Sequence, residues 1–166
     1  MTPVRKQLDP QQAFTKFLAL IQDCSTSPVD PELLSEVGAE RLAYERRYLA
    51  LFAIVLALKF SHEQDWRLNG QDLFTAISAR LLPQQASRLG VGVVVEERTL
   101  MDRLAFYNLV VDGLTDGSPT KTPQEIGRTF SMLFDGQRAA QLEAVGTRTF
   151  SDVFDGALDV TASYRL

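Results

Sequence analysis

The chain has 166 residues, of which 45% are hydrophobic and 23% charged, and its formal net charge is −4. That length and balance fit one folded domain with a real core and exclude fibrous and low-complexity classes. The acidic balance argues against nucleic acid and anionic membrane as partners, and the single cysteine excludes an intrachain disulfide.

Met1 to Gln12 contains no apolar segment, so no secretory signal is expected and the location read from the sequence is cytoplasmic. Asp9-Pro10 and Asp30-Pro31 each set a capping carboxylate before a proline that has no amide to lose. The first start predicts a helix from Pro10 to about Asp23, with Phe14, Phe17, Leu18 and Ile21 on one stripe. Ser25 to Val29 reads as a loop. The second start, with Val29 and Leu34 as a hydrophobic staple, predicts helix from Pro31 to about Phe60, divided at Gly38.

Within that region, Tyr48 to Leu58 is apolar on every side. Such a helix is enclosed by protein or by lipid. Eleven residues rise only about 16 Å, against a hydrocarbon thickness of about 30 Å. Glu45, Arg46, Arg47 and Lys59 bracket the segment closely. The expectation is therefore a central helix, spanning Tyr44 to Phe60, with no membrane involved.

Beyond it, His62 to Asp65 reads as a polar turn, with Trp66 and Leu68 packing it onto the core, and Asn69-Gly70 as another turn. Asp72 is expected to cap a short helix carrying Leu73, Phe74, Ile77, Leu81 and Leu82, ending near Pro83. Val91 to Val95 suits either a strand or a helix start. Leu100, Leu104, Tyr107, Val111 and Leu114 recur at spacings of 4, 3, 4 and 3, which predicts a helix seam. Thr115 to Lys121 is the longest expected loop.

Thr122-Pro123-Gln124-Glu125 has the form of a capping box and predicts a helix carrying Ile126, Phe130, Leu133 and Phe134. Gly136 stands where a left-handed cap belongs. Gln137 to Val145 restarts a helix, with Gly146 as its expected end. Arg128 to Gly136 then returns as Arg148 to Gly156, with seven of nine positions identical at an offset of 20. Repetition favours helix for Phe150 to Phe154. The alternation from Leu158 to Tyr164 favours a strand or an extended tail for the last eight residues.

Two groups of residues are functional candidates. The repeat is either a duplicated packing unit or a duplicated docking face built from Arg128, Phe130, Phe134, Arg148, Phe150 and Phe154. Tyr44, Tyr48, Trp66, Phe106 and Tyr107 could line a small-molecule pocket.

The patterns of familiar chemistry are missing. One histidine, His62, and one cysteine, Cys24, leave the common zinc patterns unfilled, and no Glu-x-x-His pair serves a di-iron bundle. Cys24 follows a helix end, where the dipole disfavours a thiolate, so a structural thiol is expected. Gly90-Val91-Gly92 lacks the remainder of a dinucleotide fingerprint, and no phosphate loop occurs. The mixed charges of Glu36 to Arg47, and of Glu96 to Arg103, read as surface faces, with Arg41 and Glu45 paired at helical spacing.

The sequence thus predicts a single all-α domain of six or seven helices around Tyr44 to Phe60, with a repeat-bearing subregion from 122 to 166. The function it suggests is a non-catalytic cytoplasmic interaction, adaptor or regulatory protein, self-associating as a homodimer. A small-molecule-binding bundle is the alternative, and an enzyme using carboxylates alone the third. No catalytic residue, metal or cofactor is implied.

Overall fold

A computed structural model of the chain describes residues 4–114, 121–136 and 138–166. The expected loop from Thr115 lies, but for Lys121, outside them. The described residues form helices α1 (Pro10–Thr26), α2 (Pro31–Val37), α3 (Ala39–Phe60), α4 (Gln64–Leu89), α5 (Val93–Gly113), α6 (Thr122–Ser131) and α7 (Ala139–Ser163). A 3-10 turn, Met132–Phe134, extends α6. Strands β1 (Lys6–Gln7) and β2 (Tyr164–Arg165) pair in parallel and tie the two ends together. The all-α fold read from the sequence is the fold observed.

Two starts obey their sequence signals. The Asp9 carboxylate accepts from the Gln12 amide at 2.7 Å, and the Gln12 side chain accepts from the Asp9 amide in return. Asp30 accepts from the Glu32 amide at 2.9 Å. Gly38, at φ 86°, breaks the chain between α2 and α3 as expected. The third start differs. Thr122 is itself the first residue of α6, its N-cap is Lys121, and no side chain caps it.

Helix α3 is the centre. From Tyr48 to Leu58 every residue is buried except the half-buried Val55. Helices α1, α4, α5 and α7 pack on it. Phe52, 1% exposed, lies between Tyr107 of α5 at 5.3 Å and Phe150 of α7 at 6.3 Å. Trp66 meets Phe17 edge-on at 5.9 Å, and its indole donates to the Tyr164 carbonyl at 3.1 Å.

Several expected breaks are helix interior. Asn69-Gly70 is no turn: it lies within α4, where the Asn69 amide donates to the carbonyl of Asp65, one turn back, at 2.9 Å. Gly70 faces α3, where a Cβ would make ordinary contact with Leu58 Cδ1 at 3.6 Å. Nor does Pro83 end α4. It sits exposed, and burial of Leu82, Gln85 and Ala86 carries the helix on to Leu89. Val93 starts α5, so Val91 to Val95 contains no strand.

The last helix overrides the C-terminal alternation. Residues Thr149, Val153, Ala157 and Thr161 of α7 are buried at helical spacing, and only Tyr164 and Arg165 are extended. Gly146 is not a helix end but a contact. A Cβ on it would stand 2.7 Å from Phe130 Cβ. Across the same crossing, a Cβ on Gly127 would strike Thr147 and come within 2.5 Å of the Glu143 carbonyl oxygen. Helices α6 and α7 therefore approach backbone to side chain.

Two outcomes check this packing. Phe52→Ala should lower unfolding free energy in denaturant melts by about 3–5 kcal/mol, through lost contacts and a residual cavity. Gly127→Ala should cost at least about 1–3 kcal/mol, because the clash is partly with backbone that cannot rotate aside. A near-neutral Gly127→Ala would mean that the two helices do not cross this closely.

Candidate functional site

The repeat residues come first. Phe130, Phe134 and Phe150 are buried, and Phe154 is half-buried. In each copy the two phenylalanine ring centroids lie 5.4 Å apart, tilted at 51° in the first copy and stacked at 16° in the second. Thr129 and Thr149 are buried beside them, while Arg128 and Arg148 are exposed. The side-chain environment is thus nearly duplicated, but the backbone is not. The first copy ends in left-handed Asp135 (φ 57°) and Gly136 (φ 77°), whereas the second runs through the middle of α7. The two Asp-Gly pairs therefore differ in backbone conformation. Of the six candidate docking residues only Arg128 and Arg148 are exposed, and Arg128 pairs with Glu125 at 3.1 Å.

The five candidate pocket aromatics do not converge. Tyr44 and Tyr48 line a cleft of about 440 Å³ between α3, the end of α4 and the start of α5. Trp66 is packed on Phe17 instead. Phe106 and Tyr107 are neighbours at 5.9 Å, with Tyr107 against Phe52. Tyr44 and Tyr48 belong to α3, Trp66 to α4, and Phe106 and Tyr107 to α5.

Three charged side chains expected on the surface are buried, and two of them, Glu45 and Glu96, line this cleft. Glu45, Arg46 and Glu96 are 7%, 4% and 2% exposed. Glu45 does not pair with Arg41. It accepts two hydrogen bonds from Arg103 of α5, at 2.7 and 2.8 Å. Arg41 reaches across to donate to the Leu133 carbonyl at 2.6 Å. The Tyr48 hydroxyl donates to Glu96 Oε1, which also accepts from the Gln85 amide at 2.7 Å. Arg46 donates from Nε to the Thr149 hydroxyl and from Nη1 to the Ser27 carbonyl, each at 3.1 Å.

Burial is the main cause of the shifts at Tyr48, Tyr107 and Arg46. It pushes the Tyr48 hydroxyl upward, and the hydrogen bond to the Glu96 carboxylate adds to the shift. Tyr107 is raised by burial and then by the charge of Glu45. Arg103 is raised by its hydrogen bonds to Glu45, and Arg46 is lowered by desolvation. Both tyrosines stay protonated, so Tyr48 is a fixed donor to Glu96. Among the described residues no arginine or lysine is bonded to the Glu96 side chain.

One signal in the sequence could have revealed this network. Glu96 and Arg103 fall in the register of Leu100, Leu104 and Tyr107, and Glu45 shares a face with Leu42 and Leu49. A charge within an apolar seam is buried with its seam.

The surface adjoining this cleft, whose wall includes Leu89, Val91 and Val95, carries apolar groups outward. Leu89, Val91, Val93, Val94 and Val95 are all at least 40% exposed at the corner joining α4 to α5. Met101 and Leu109 extend this outer face along α5, at 53% and 72%. An interhelical corner is ordinarily polar.

Among the described residues no group of three or more His, Cys, Asp and Glu side chains is placed to hold a metal ion, and no helix is long and apolar enough to cross a membrane. His62 is exposed, and Cys24 is buried, with its thiol donating to the Ile21 carbonyl at 3.1 Å. No family model, curated protein or solved structure matches the chain.

Burial pushes the Cys24 thiol up to about 12, from an ordinary value of 9.0. The folded thiol thus stays protonated where an unfolded one ionises, and its contribution to stability is lost as pH rises from about 9 to about 12. At pH 8, iodoacetamide should modify the native chain far more slowly than the chain in denaturant. Equal rates would place the thiol at the surface.

Proposed function

We propose that the chain is a non-catalytic, cytoplasmic protein-interaction module, of adaptor or regulatory kind, that self-associates as a homodimer. The observation that carries this reading is the run of valines at the α4–α5 corner, continued by Met101 and Leu109. Contiguous exposed apolar surface marks interaction sites. The buried polar groups support a binding role as well. Glu45 is held by Arg103, and Glu96 is held by Tyr48 and Gln85. Held this way they fix helices against one another. The net charge of −4 and the lone buried Cys24 are in keeping with a protein partner in a reducing compartment.

A second reading has its own observation. The cleft of about 440 Å³ is lined by Tyr44, Tyr48 and Glu96. Aromatic rings together with an acidic side chain suit a small organic cation. Titration of simple alkylammonium ions against the native chain and Glu96→Gln separates specific binding from none: equal affinities sink this reading.

The main reading is tested by a photo-crosslinking amino acid placed at Val94, with the same group at exposed Asp159 of α7 as control. Discrete adducts, identified by mass, are expected from Val94 alone. Adducts from both positions, or from neither, would overturn the corner as an interaction surface.

A further inference from the structure

The exposed face of α5 has an internal symmetry. Arg98, Met101, Ala105, Leu109 and Asp112 are all exposed, at spacings of 3, 4, 4 and 3. At 3.6 residues per turn these positions fall on one stripe, within about 80° of arc. The spacings read the same in both directions from Ala105. The chemistry reads as its own complement: a cation faces an anion across the centre, and one flexible apolar side chain faces another.

We propose that the stripe docks against the same stripe of a second copy of this chain, with the two α5 helices antiparallel and Ala105 on the two-fold axis. This rests on the reading of the protein as a self-associating interaction module and names the surface and register. In that register Ala105 meets Ala105 of the second copy, Met101 meets Leu109, and Arg98 meets Asp112. By symmetry each unlike contact occurs twice, as an isologous interface requires. Alanine at the centre lets two helices approach at the short end of the usual 8–10 Å separation. The ion pairs at the two ends set direction, because a parallel pairing would oppose Arg98 to Arg98 and Asp112 to Asp112.

The rest of the molecule leaves the stripe available. Neither Arg98 nor Asp112 forms an ion pair with a described residue, although Arg103 on the inner face of the same helix does. Met101 also edges an apolar groove of about 490 Å³ floored by Leu58, Phe74 and Leu104, so the contact continues inward from the stripe. The inner seam of Leu100, Leu104 and Tyr107 is fully used by the core. Association thus falls to the opposite face of the helix.

The test uses the full chain in sedimentation equilibrium with charge reversals. The native chain is expected as a dimer. Arg98→Asp alone, and Asp112→Arg alone, should each weaken the dimer at least about tenfold, since like charges then meet twice. The double variant restores unlike pairs and should return affinity to within about threefold of native. Both positions are exposed, so unchanged thermal melts of each variant are expected. Ala105→Cys should be cross-linked to dimer by a short bismaleimide, and Gln11→Cys on exposed α1 should not. Buried Cys24 adds little background.

A dimer indifferent to the reversals, or cross-linked no better at Ala105→Cys than at Gln11→Cys, overturns this interface and leaves the interaction reading standing. A monomer overturns the second copy as occupant. If Val94 still gives photo-adducts with another protein, the interaction reading survives that result. If it gives none, both fail.

Discussion

A helix that is apolar on every side can be stable in water only if other chain surrounds it. That constraint organises the protein. Each large side chain of α3 gains about 1.5–3 kcal/mol when fully withdrawn from water, and no single neighbour can cover them all. Helices α1, α4, α5 and α7 each contribute one apolar face. Each needs only that one face, which leaves its outer side for solvent. In α5 the outer side is not wholly given to solvent-loving groups, and this departure from the pattern carries the functional reading.

The polar network does a different task from the core. Apolar packing alone leaves a helix free to slide or rotate by small amounts. Arg103 gripping Glu45 at both oxygens, and Tyr48 and Gln85 meeting on Glu96, allow few positions of α5 against α3 and α4. Arg46 does the same for α7 through Thr149. Buried pairs of this kind add little net stability, because removing their water is costly, but breaking one is expensive. Their effect is to hold the α4–α5 corner in one orientation. A rigid apolar surface loses less entropy on docking than a mobile one.

The repeat shows how one side-chain pattern can serve two backbones. Both copies bring a phenylalanine pair, four residues apart in sequence, into contact and bury a threonine beside it. Past the rings the two paths diverge, because their surroundings differ. The first copy must turn sharply so that α7 can run back across α6, with Gly127 and Gly146 permitting the crossing. The second lies in the middle of that returning helix, where Ala157 and Thr161 continue the buried stripe. Local sequence identity fixed the rings and not the path of the chain.

Periodicity and caps alone were enough to determine the helical class, the starts at Pro10 and Pro31, the break at Gly38 and the enclosure of Tyr48 to Leu58. Those features arise from local hydrogen bonding, positive φ and the distribution of apolar residues around one helix, all of which operate over a few neighbouring positions. Tertiary structure alone decided that Asn69-Gly70, Pro83, Gly146 and Gly156 lie inside helices, because burial of residues further along outweighs a local breaker worth about 1–3 kcal/mol. It alone paired Glu45 with Arg103 across 58 residues and left Arg41 for Leu133. It also decided that the five aromatics do not converge and showed which face of α5 was left uncovered. A partner distant in sequence, or a face without one, is set by where helices cross, and no local pattern encodes that.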